Sequence, residues 1–325
     1  MTQISHRTVE ANGIRIHLAE AGEGPLVMLC HGFPESWYSW RHQLKALAEA
    51  GWRAVAPDMR GYGGTDRPDE IEKYTRFHLV GDMIGILDAL GQETTVIVGH
   101  DWGALVAWRA ALLRPDRFRG VACLSVPFLP RSPLPPTRAM PRTDRSQFYV
   151  LYFQEPGVAE AEFERDPRYT IRTLLFFGSG DAPPRPSDGT PDTAPGMVPR
   201  DGGFLSRPAA PGPLPAWLTE ADVDFYANEF ARTGFRGALN WYRNMDRDWE
   251  LTAPFAGLKV TVPALYIAGD RDRVVARMGR ERIDSLSKFV PNLRNAIMLP
   301  GCGHWTQQER AAEVNAALLE FLRGV

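Results

Sequence analysis

The sequence is poor in cysteine, nearly balanced in charge and free of long hydrophobic runs. Its three cysteines, Cys30, Cys123 and Cys302, are too few and too scattered for a disulfide framework or a cysteine zinc cluster. No apolar run reaches the roughly 18 residues of a membrane span, and the N-terminus lacks the apolar core of a secretory signal. The net charge of −2 argues against a broadly basic nucleic-acid surface. A cytoplasmic globular protein is expected, as a monomer or a homodimer.

Short apolar runs alternate with helix-like stretches in the N-terminal part of the chain. This pattern predicts buried strands at 25–30, 53–57, 94–99 and 120–126, with helices at 40–50, 77–90 and 104–113. Such alternation is typical of a mostly parallel sheet with helices on both faces, the α/β class. Further strands are predicted at 8–10 and 14–19, as an edge hairpin, and at 264–268 and 296–299, before a closing helix at 308–322.

The middle of the chain differs from the two ends. Helical patterns dominate there, at 147–153, 159–164, 219–232 and 237–242. Ten of the 27 prolines fall within a Pro/Gly-rich loop at about 178–216, interpreted as an irregular and featureless surface insertion. The expected organisation is a core domain, 1–129 and 251–325, interrupted by a helical cap at 130–250.

Gly99-His100-Asp101-Trp102-Gly103 lies between a predicted strand and a predicted helix. Small residues two positions before and after Asp101 permit the sharp turn of a nucleophile elbow. Taken alone, the motif fits equally well an aspartate that caps the following helix. As a nucleophile, a carboxylate displaces at saturated carbon and forms an ester that water can hydrolyse, whereas a serine would leave an inert ether. The motif therefore favours epoxide opening or dehalogenation over ester hydrolysis.

Two later loops supply a candidate base and its acid partner. His304 follows the last predicted strand, and Gly269-Asp270-Arg271-Asp272 follows the strand before it. Both loops therefore lie at the same sheet edge as Asp101, in the order nucleophile, acid, histidine that α/β-hydrolases have. A histidine is largely neutral at pH 7, which suits a general base. A lone loop histidine would be read as a surface residue, but three matched loops favour a triad.

Backbone N–H groups of Phe33 and Trp102 are the candidate oxyanion hole for the hydrolysis of such an ester. The glycine-rich turn at 58–64 has neither the spacing of a phosphate-binding loop nor a following Gly-Lys-Ser/Thr. It is interpreted as structural. No cofactor and no metal are expected.

Several stretches resemble the α/β-hydrolase-fold epoxide hydrolases, in particular the soluble enzyme of animals and its bacterial relatives. They are HGFPESWYSWRHQL (31–44), PDMRGYGGTDRP (57–68), VGHDWGALVAW (98–108), YVLYFQEPGVAEAEFE (149–164), GFRGALNWYRNM (234–245) and GCGHWTQQE (301–309). The resemblance implies an α/β-hydrolase fold with an inserted cap. The chain is too short to include the N-terminal phosphatase domain of the animal enzyme.

The resemblance also implies roles for individual residues. Two cap tyrosines of the family, which hydrogen-bond the epoxide oxygen, match Tyr149 and Tyr242, and the rival Tyr152 does not match. A phenol remains protonated at pH 7 yet can donate to a forming alkoxide. The relay acid of the family matches Asp272 rather than Asp270. Glu35 is implied to orient the hydrolytic water with His304, although a cap or surface role explains it equally well.

The expected activity is hydrolysis of a small apolar epoxide by water to a vicinal diol through an aspartyl ester. The main alternative is a haloalkane or haloacid dehalogenase, which shares the aspartate, the histidine and the acid. Phe33 argues against that alternative, because haloalkane dehalogenases place a polar residue there for the halide. The candidate pocket walls are Trp37, Phe128, Val150, Leu151, Met245 and Trp305.

Overall fold

The computed structural model describes residues 3–183, 188–206 and 212–325. Its strands are β1 Ser5–Ala11, β2 Ile14–Ala21, β3 Leu26–Cys30, β4 Arg53–Pro57, β5 Thr95–His100, β6 Phe118–Leu124, β7 Ser146–Phe148, β8 Met197–Pro199, β9 Ala264–Gly269 and β10 Leu293–Leu299. Its helices are α1 Arg41–Glu49, α2 Arg76–Ala89, α3 Trp102–Leu113, α4 Pro136–Ala139, α5 Tyr149–Tyr152, α6 Val158–Phe163, α7 Pro167–Gly178, α8 Glu220–Thr233, α9 Arg236–Arg243, α10 Met245–Leu251, α11 Arg273–Met278, α12 Arg280–Asp284, α13 Thr306–Glu309 and α14 Ala311–Leu322.

Eight strands form one sheet in the order β1-β2-β4-β3-β5-β6-β9-β10. Pairing is antiparallel from β1 to β2 and from β2 to β4, and parallel across the rest of the sheet. The predicted mostly parallel sheet is therefore confirmed. The predicted hairpin is also present, because Asn12 and Gly13 have φ of 50° and 76°, the positive values that a tight hairpin turn requires.

The hydrophobic core occupies both faces of this sheet. Along the central strands β3 and β5, alternate side chains enter two separate apolar clusters, as the period of two in a strand requires. Val27 and Leu29 face α1 and α14, whereas Met28 faces the side of α2 and α3. The buried strands thus read as continuous apolar runs, as in other parallel sheets.

Between β6 and β9 the chain leaves the sheet and forms α4 to α10. One prediction in this segment is partly wrong, because 147–153 is not a single helix. Residues Ser146–Phe148 form β7, which pairs antiparallel with β8, and only Tyr149–Tyr152 is helical. The partner strand β8 comes from the Pro/Gly-rich stretch, so no local sequence pattern indicated that residues 146–148 pair as a strand. Helix α7 was not predicted either.

The interpretation of 178–216 as a featureless surface insertion is wrong for the described part of that stretch. Residues 184–187 and 207–211 of the predicted loop lie outside the described residues. Elsewhere in the stretch, β8 pairs with β7, and the Gly196 carbonyl accepts a hydrogen bond of 2.8 Å from the Tyr149 N–H. The Phe204 ring lies 5.8 Å from the Tyr149 ring and 5.4 Å from the Phe153 ring.

Five parallel strands end at one edge of the sheet and bring distant residues together there. Phe33 follows β3, Asp101 follows β5, Ser125 follows β6, Asp272 follows β9 and His304 follows β10. Ligands of open parallel sheets bind outside the carboxyl ends of the strands. Of the helices the structure describes, none is both long enough and apolar enough to cross a lipid bilayer.

Candidate active site

Asp101 occupies a strained turn between β5 and α3. Its φ is +52°, a value that few residues other than glycine adopt. The glycines on either side permit the turn: a Cβ on Gly103 would lie 2.0 Å from the Cys30 carbonyl oxygen, and one on Gly99 would lie 2.2 Å from the Gly103 oxygen. The predicted elbow geometry therefore has a direct steric cause. It projects the Asp101 carboxylate from the sheet edge.

The turn after β3 holds one oxygen of that carboxylate. The Phe33 N–H donates to Asp101 Oδ1 at 2.9 Å. Gly32 permits this approach, since a Cβ there would lie 2.4 Å from the same oxygen. Trp102, the second candidate donor, is the first residue of α3 and directly follows Asp101. Oδ1 is thus bound to the backbone, and Oδ2 faces the histidine.

His304 lies between two carboxylates. Its Nε2 is 3.5 Å from Asp101 Oδ2, and its Nδ1 is 3.1 Å from Asp272 Oδ2. The histidine's loop is held by a 2.8 Å hydrogen bond from the His304 N–H to the Gly178 carbonyl at the end of α7. Burial lowers the pKa of His304, but the charge of Asp272 and the hydrogen bonds to Asp101 and Asp272 outweigh it, so the pKa is raised well above its usual value.

The two candidate acids after β9 have different surroundings. Asp272 is fully buried and caps α11, where its Oδ1 accepts the Val274 N–H at 2.8 Å. Burial would raise the pKa of Asp272, but His304 and the hydrogen bonds to the carboxylate lower it. Asp270 is exposed and binds the Gly301 N–H at 2.7 Å. The structure thus brings Asp272, and not Asp270, to the histidine.

Tyr149 and Tyr242 lie together beside the Asp101 loop. Their ring centroids are 6.2 Å apart, and the Tyr242 ring lies 4.8 Å from Trp102 and 5.6 Å from Phe33. Burial raises the pKa of both phenols, and the negative charge of Asp101 raises it further. Both hydroxyls therefore remain protonated at neutral pH and can donate. Tyr152 is engaged elsewhere, since its hydroxyl donates to Glu162 Oε2 at 2.9 Å.

Glu35 is a buried residue that contacts His100 rather than the His304 ring. Its Oε2 is 2.7 Å from His100 Nδ1, and His100 Nε2 is 2.7 Å from the His304 carbonyl oxygen. Burial alone would raise the pKa of Glu35, but His100 and the Gly32 N–H outweigh it and lower the pKa to about 2. With 1% of its surface exposed, Glu35 is not a surface residue. Glu35 therefore supports the His304 loop indirectly, through the contact of His100 with the His304 carbonyl oxygen.

Four of the predicted pocket walls are close along the chain to the candidate histidine or the two tyrosines. Trp305 follows His304, and the two rings are 4.8 Å apart. Val150 and Leu151 follow Tyr149 within α5, and Met245 begins α10, three positions after Tyr242. All four, and also Phe128, belong to, or pack against, the same apolar cluster as the two tyrosines.

The rings of the other two predicted walls pack against aromatic residues outside the candidate site. The Trp37 ring packs edge-on against His6 at 4.7 Å and Phe225 at 5.8 Å, beside the edge hairpin. Phe128 packs against Trp108 and Phe289, with centroids about 6 Å away. The structure therefore gives no support to Trp37 as a pocket wall. The sequence does not report the direction in which either side chain points.

Two residues near the site carried no usable signal in the sequence. Ser125, directly after β6, contacts both Asp272 and His304 through its hydroxyl. Phe204 comes from the proline-rich stretch and contacts the Tyr149 ring.

Among the described residues, no group of three or more His, Cys, Asp or Glu side chains is arranged to hold a metal ion. The arrangement instead combines a carboxylate, a histidine with a buried aspartate as its partner, and two phenols.

Comparisons with known proteins identify the family and the fold. The family model described as alpha/beta hydrolase fold matches residues 25–311 of this chain. Epoxide hydrolase A of Mycobacterium tuberculosis is 49% identical over 99% of this chain and 98% of its own length. Bifunctional epoxide hydrolase 2 of Sus scrofa is 42% identical over 95% of this chain, which covers 53% of that longer protein.

Solved structures give the same result. An epoxide hydrolase from an endophytic Streptomyces superposes with a TM-score of 0.94 at 48% identity, covering 99% of this chain and 96% of that one. The crystal structure of epoxide hydrolase A from Mycobacterium thermoresistibile has a TM-score of 0.90 at 50% identity, with 99% of each chain covered. These likenesses extend over the sheet, the insertion and the loops that carry the candidate residues, and they confirm the predicted fold. The chain belongs to the epoxide hydrolases of the α/β-hydrolase fold.

Proposed function

We propose that this enzyme converts an apolar epoxide and water into the vicinal diol through a covalent ester on Asp101. The observation that carries the proposal is the pair of phenols, Tyr149 and Tyr242, whose ring centroids lie 6.2 Å apart, with the Tyr242 ring 4.8 Å from the Trp102 ring beside Asp101. Opening an epoxide generates a strongly basic alkoxide, which needs a proton donor. A halide leaves without a proton, so a dehalogenase has no use for this pair. The helical segment 130–250, which supplies both tyrosines, acts as the cap.

In the first step, Asp101 attacks one epoxide carbon. The attacking atom is Oδ2, because Oδ1 is held by the Phe33 N–H. As the new C–O bond forms, the epoxide C–O bond breaks, and the alkoxide takes a proton from Tyr149 or Tyr242. The product is an ester whose carbonyl oxygen is Oδ1. It already lies at the Phe33 N–H, where the oxyanion of the second step develops.

In the second step, water attacks the ester carbonyl while His304 Nε2 accepts its proton. The tetrahedral intermediate then breaks its bond to the diol oxygen, and the second proton of the water passes to that oxygen, which releases the diol and leaves Asp101 as the carboxylate. The proton on His304 returns through solvent to the tyrosinate left by the first step, so the cycle balances as epoxide plus water to diol. Asp272 holds Nδ1 of His304, which directs Nε2 towards the ester.

The apolar surroundings support an apolar substrate. The Phe33 side chain packs against Tyr242, Phe153 and Phe235, with centroid distances of 5.6, 6.1 and 6.5 Å. A polar residue at position 33 would be expected for halide binding. Aromatic walls with a few convergent polar groups are typical of sites for small apolar ligands.

His304→Gln tests the covalent mechanism. Alkylation needs no histidine but hydrolysis does, so the variant should open the epoxide and then stall as the ester. The mass of the intact protein should rise by the mass of one epoxide within a single turnover. His42→Gln, an exposed histidine in α1, is the matched control and should not accumulate ester. Unmodified His304→Gln protein after saturating exposure to a substrate that the wild type hydrolyses would contradict the mechanism.

The pH dependence of the second step follows from the charge on Asp101. In the free enzyme, the Asp101 carboxylate helps to raise the pKa of His304. Esterification removes that charge, so the pKa of His304 falls when the residue must act as a base. Ester hydrolysis should therefore lose about tenfold in rate per pH unit below a midpoint that lies under the pKa of His304 in the free enzyme. Rapid-quench hydrolysis rates and an NMR titration of His304 supply the two values. A midpoint at or above the free-enzyme pKa would contradict this account.

A further inference from the structure

Ser125 has an unusual backbone conformation next to the candidate triad. Its φ is +67°, and in the described part of the chain Asn12 and Asp101 are the other non-glycine residues with positive φ. Asparagine and aspartate tolerate this region better than serine does. Hydrogen bonds from the Ser125 N–H to the Ile267 carbonyl, at 2.9 Å, and from the Tyr266 hydroxyl to the Ser125 carbonyl, at 2.7 Å, hold the residue in place.

The fully buried Ser125 side chain lies between the acid and the base. Its Oγ is 2.5 Å from Asp272 Oδ2 and 3.0 Å from His304 Nδ1. A carboxylate can only accept, so the Ser125 hydroxyl donates its proton to Asp272. The serine oxygen then presents a lone pair to Nδ1, and the Nδ1–H is shared between Asp272 and Ser125.

We propose that Ser125 is a positioning residue that, once Asp101 is esterified, holds neutral His304 with its proton on Nδ1 and its free lone pair on Nε2, facing the ester. The inference rests on the proposed function, in which His304 acts only in ester hydrolysis. A glycine would adopt the backbone conformation of residue 125 without strain. What serine adds over glycine at this position is the hydroxyl, and both partners of the hydroxyl belong to the triad.

This role assigns Ser125 to one step of the reaction. Alkylation uses Asp101 and the two tyrosines, none of which contacts Ser125 Oγ. Hydrolysis uses Nε2 of His304, whose direction the hydroxyl helps to set. Loss of one hydrogen bond to a charged pair should slow hydrolysis about 10- to 30-fold and leave the alkylation rate within about twofold. The ester should accumulate, and kcat and KM should fall together.

The experiment measures single-turnover alkylation and hydrolysis rates in Ser125→Ala and Ser125→Gly. Alanine removes the hydroxyl and keeps the backbone strain, whereas glycine removes both and protects the fold. The same hydrolysis defect in the two variants is the expected result. Ser39→Ala is the matched control, since Ser39 is also fully buried and its hydroxyl donates to the Ser36 carbonyl at 3.0 Å, away from the triad. It should leave the ratio of the two rates unchanged.

Two results would overturn the inference. One is a hydrolysis rate like that of the wild type in both Ser125 variants. The other is an equal loss of alkylation and hydrolysis, which is the signature of a merely structural role. Measuring His304→Gln in parallel shows whether such a result contradicts only the role of Ser125 or the proposed function as well. If His304→Gln traps the ester, only the role of Ser125 is wrong; if no variant forms an ester, the proposed function and the inference both fail.

Discussion

Asp101→Asn should lose turnover by a factor on the order of 10⁴ or more, because an amide oxygen is too weak a nucleophile to displace at an epoxide carbon. The substitution preserves the shape of the side chain and its acceptor for the Phe33 N–H. The elbow and the fold should therefore survive, and thermal unfolding should change little. Diol formation under saturating epoxide is the measurement.

Asp270→Asn provides the matched control for that experiment. Asp270 lies at the same edge of the sheet but is exposed and binds only the Gly301 N–H among the described partners. It should retain nearly full activity. Deamidation of the introduced asparagine back to aspartate must be excluded by mass spectrometry of the assayed sample. Near-wild-type turnover by an Asp101→Asn protein verified in this way would reject Asp101 as the nucleophile.

The second large effect is expected when both cap phenols are removed. Tyr149→Phe and Tyr242→Phe should each slow epoxide alkylation by about 10- to 100-fold, and the double variant by about 10³-fold or more. The reason is that water in an apolar pocket is a poor substitute for a positioned donor. Tyr152→Phe is the matched control, because that hydroxyl is bound to Glu162 outside the site, and its alkylation rate should equal that of the wild type.

The same variants separate the proposed activity from dehalogenation. A matched alkyl halide needs no proton on its leaving group, so any attack on it by Asp101 should be insensitive to loss of both hydroxyls. Single-turnover alkylation is measured with the epoxide and with the halide. If the double variant opens the epoxide at the wild-type rate, the tyrosines are packing residues. If the wild type releases halide faster than it makes diol, the enzyme is a dehalogenase.

Local motifs predicted the parts of the site that depend on short stretches of backbone. The glycines around Asp101 predicted the elbow, and their contacts with the Cys30 and Gly103 carbonyls explain why no larger residue fits. Strand endings predicted that Asp101 and His304 share one edge, because parallel strands place their carboxyl ends together. The choice between Asp270 and Asp272 came from family resemblance. The structure places Asp272 against His304 and leaves Asp270 in solvent.

Contacts between distant segments had no such signal. The strand β7 was predicted as helix, because its partner β8 lies about 50 residues away in a stretch whose prolines predicted only a loop. Trp37 was predicted to line the pocket, yet its ring packs on the edge hairpin. Glu35, from the same motif, is buried against His100 rather than facing solvent.

The sequence by itself determined the α/β architecture, the elbow and the residue types of the reaction, since these depend on hydrophobic period and on local steric limits. The tertiary structure alone decided how the phenols, His304 and the Ser125 hydroxyl are placed. A side chain's direction depends on packing against residues that are far away in the chain. Ser125 shows the difference most clearly: in the sequence it is an ordinary serine after a strand. Only the meeting of β6, β9 and the His304 loop puts its oxygen within 3.0 Å of the histidine.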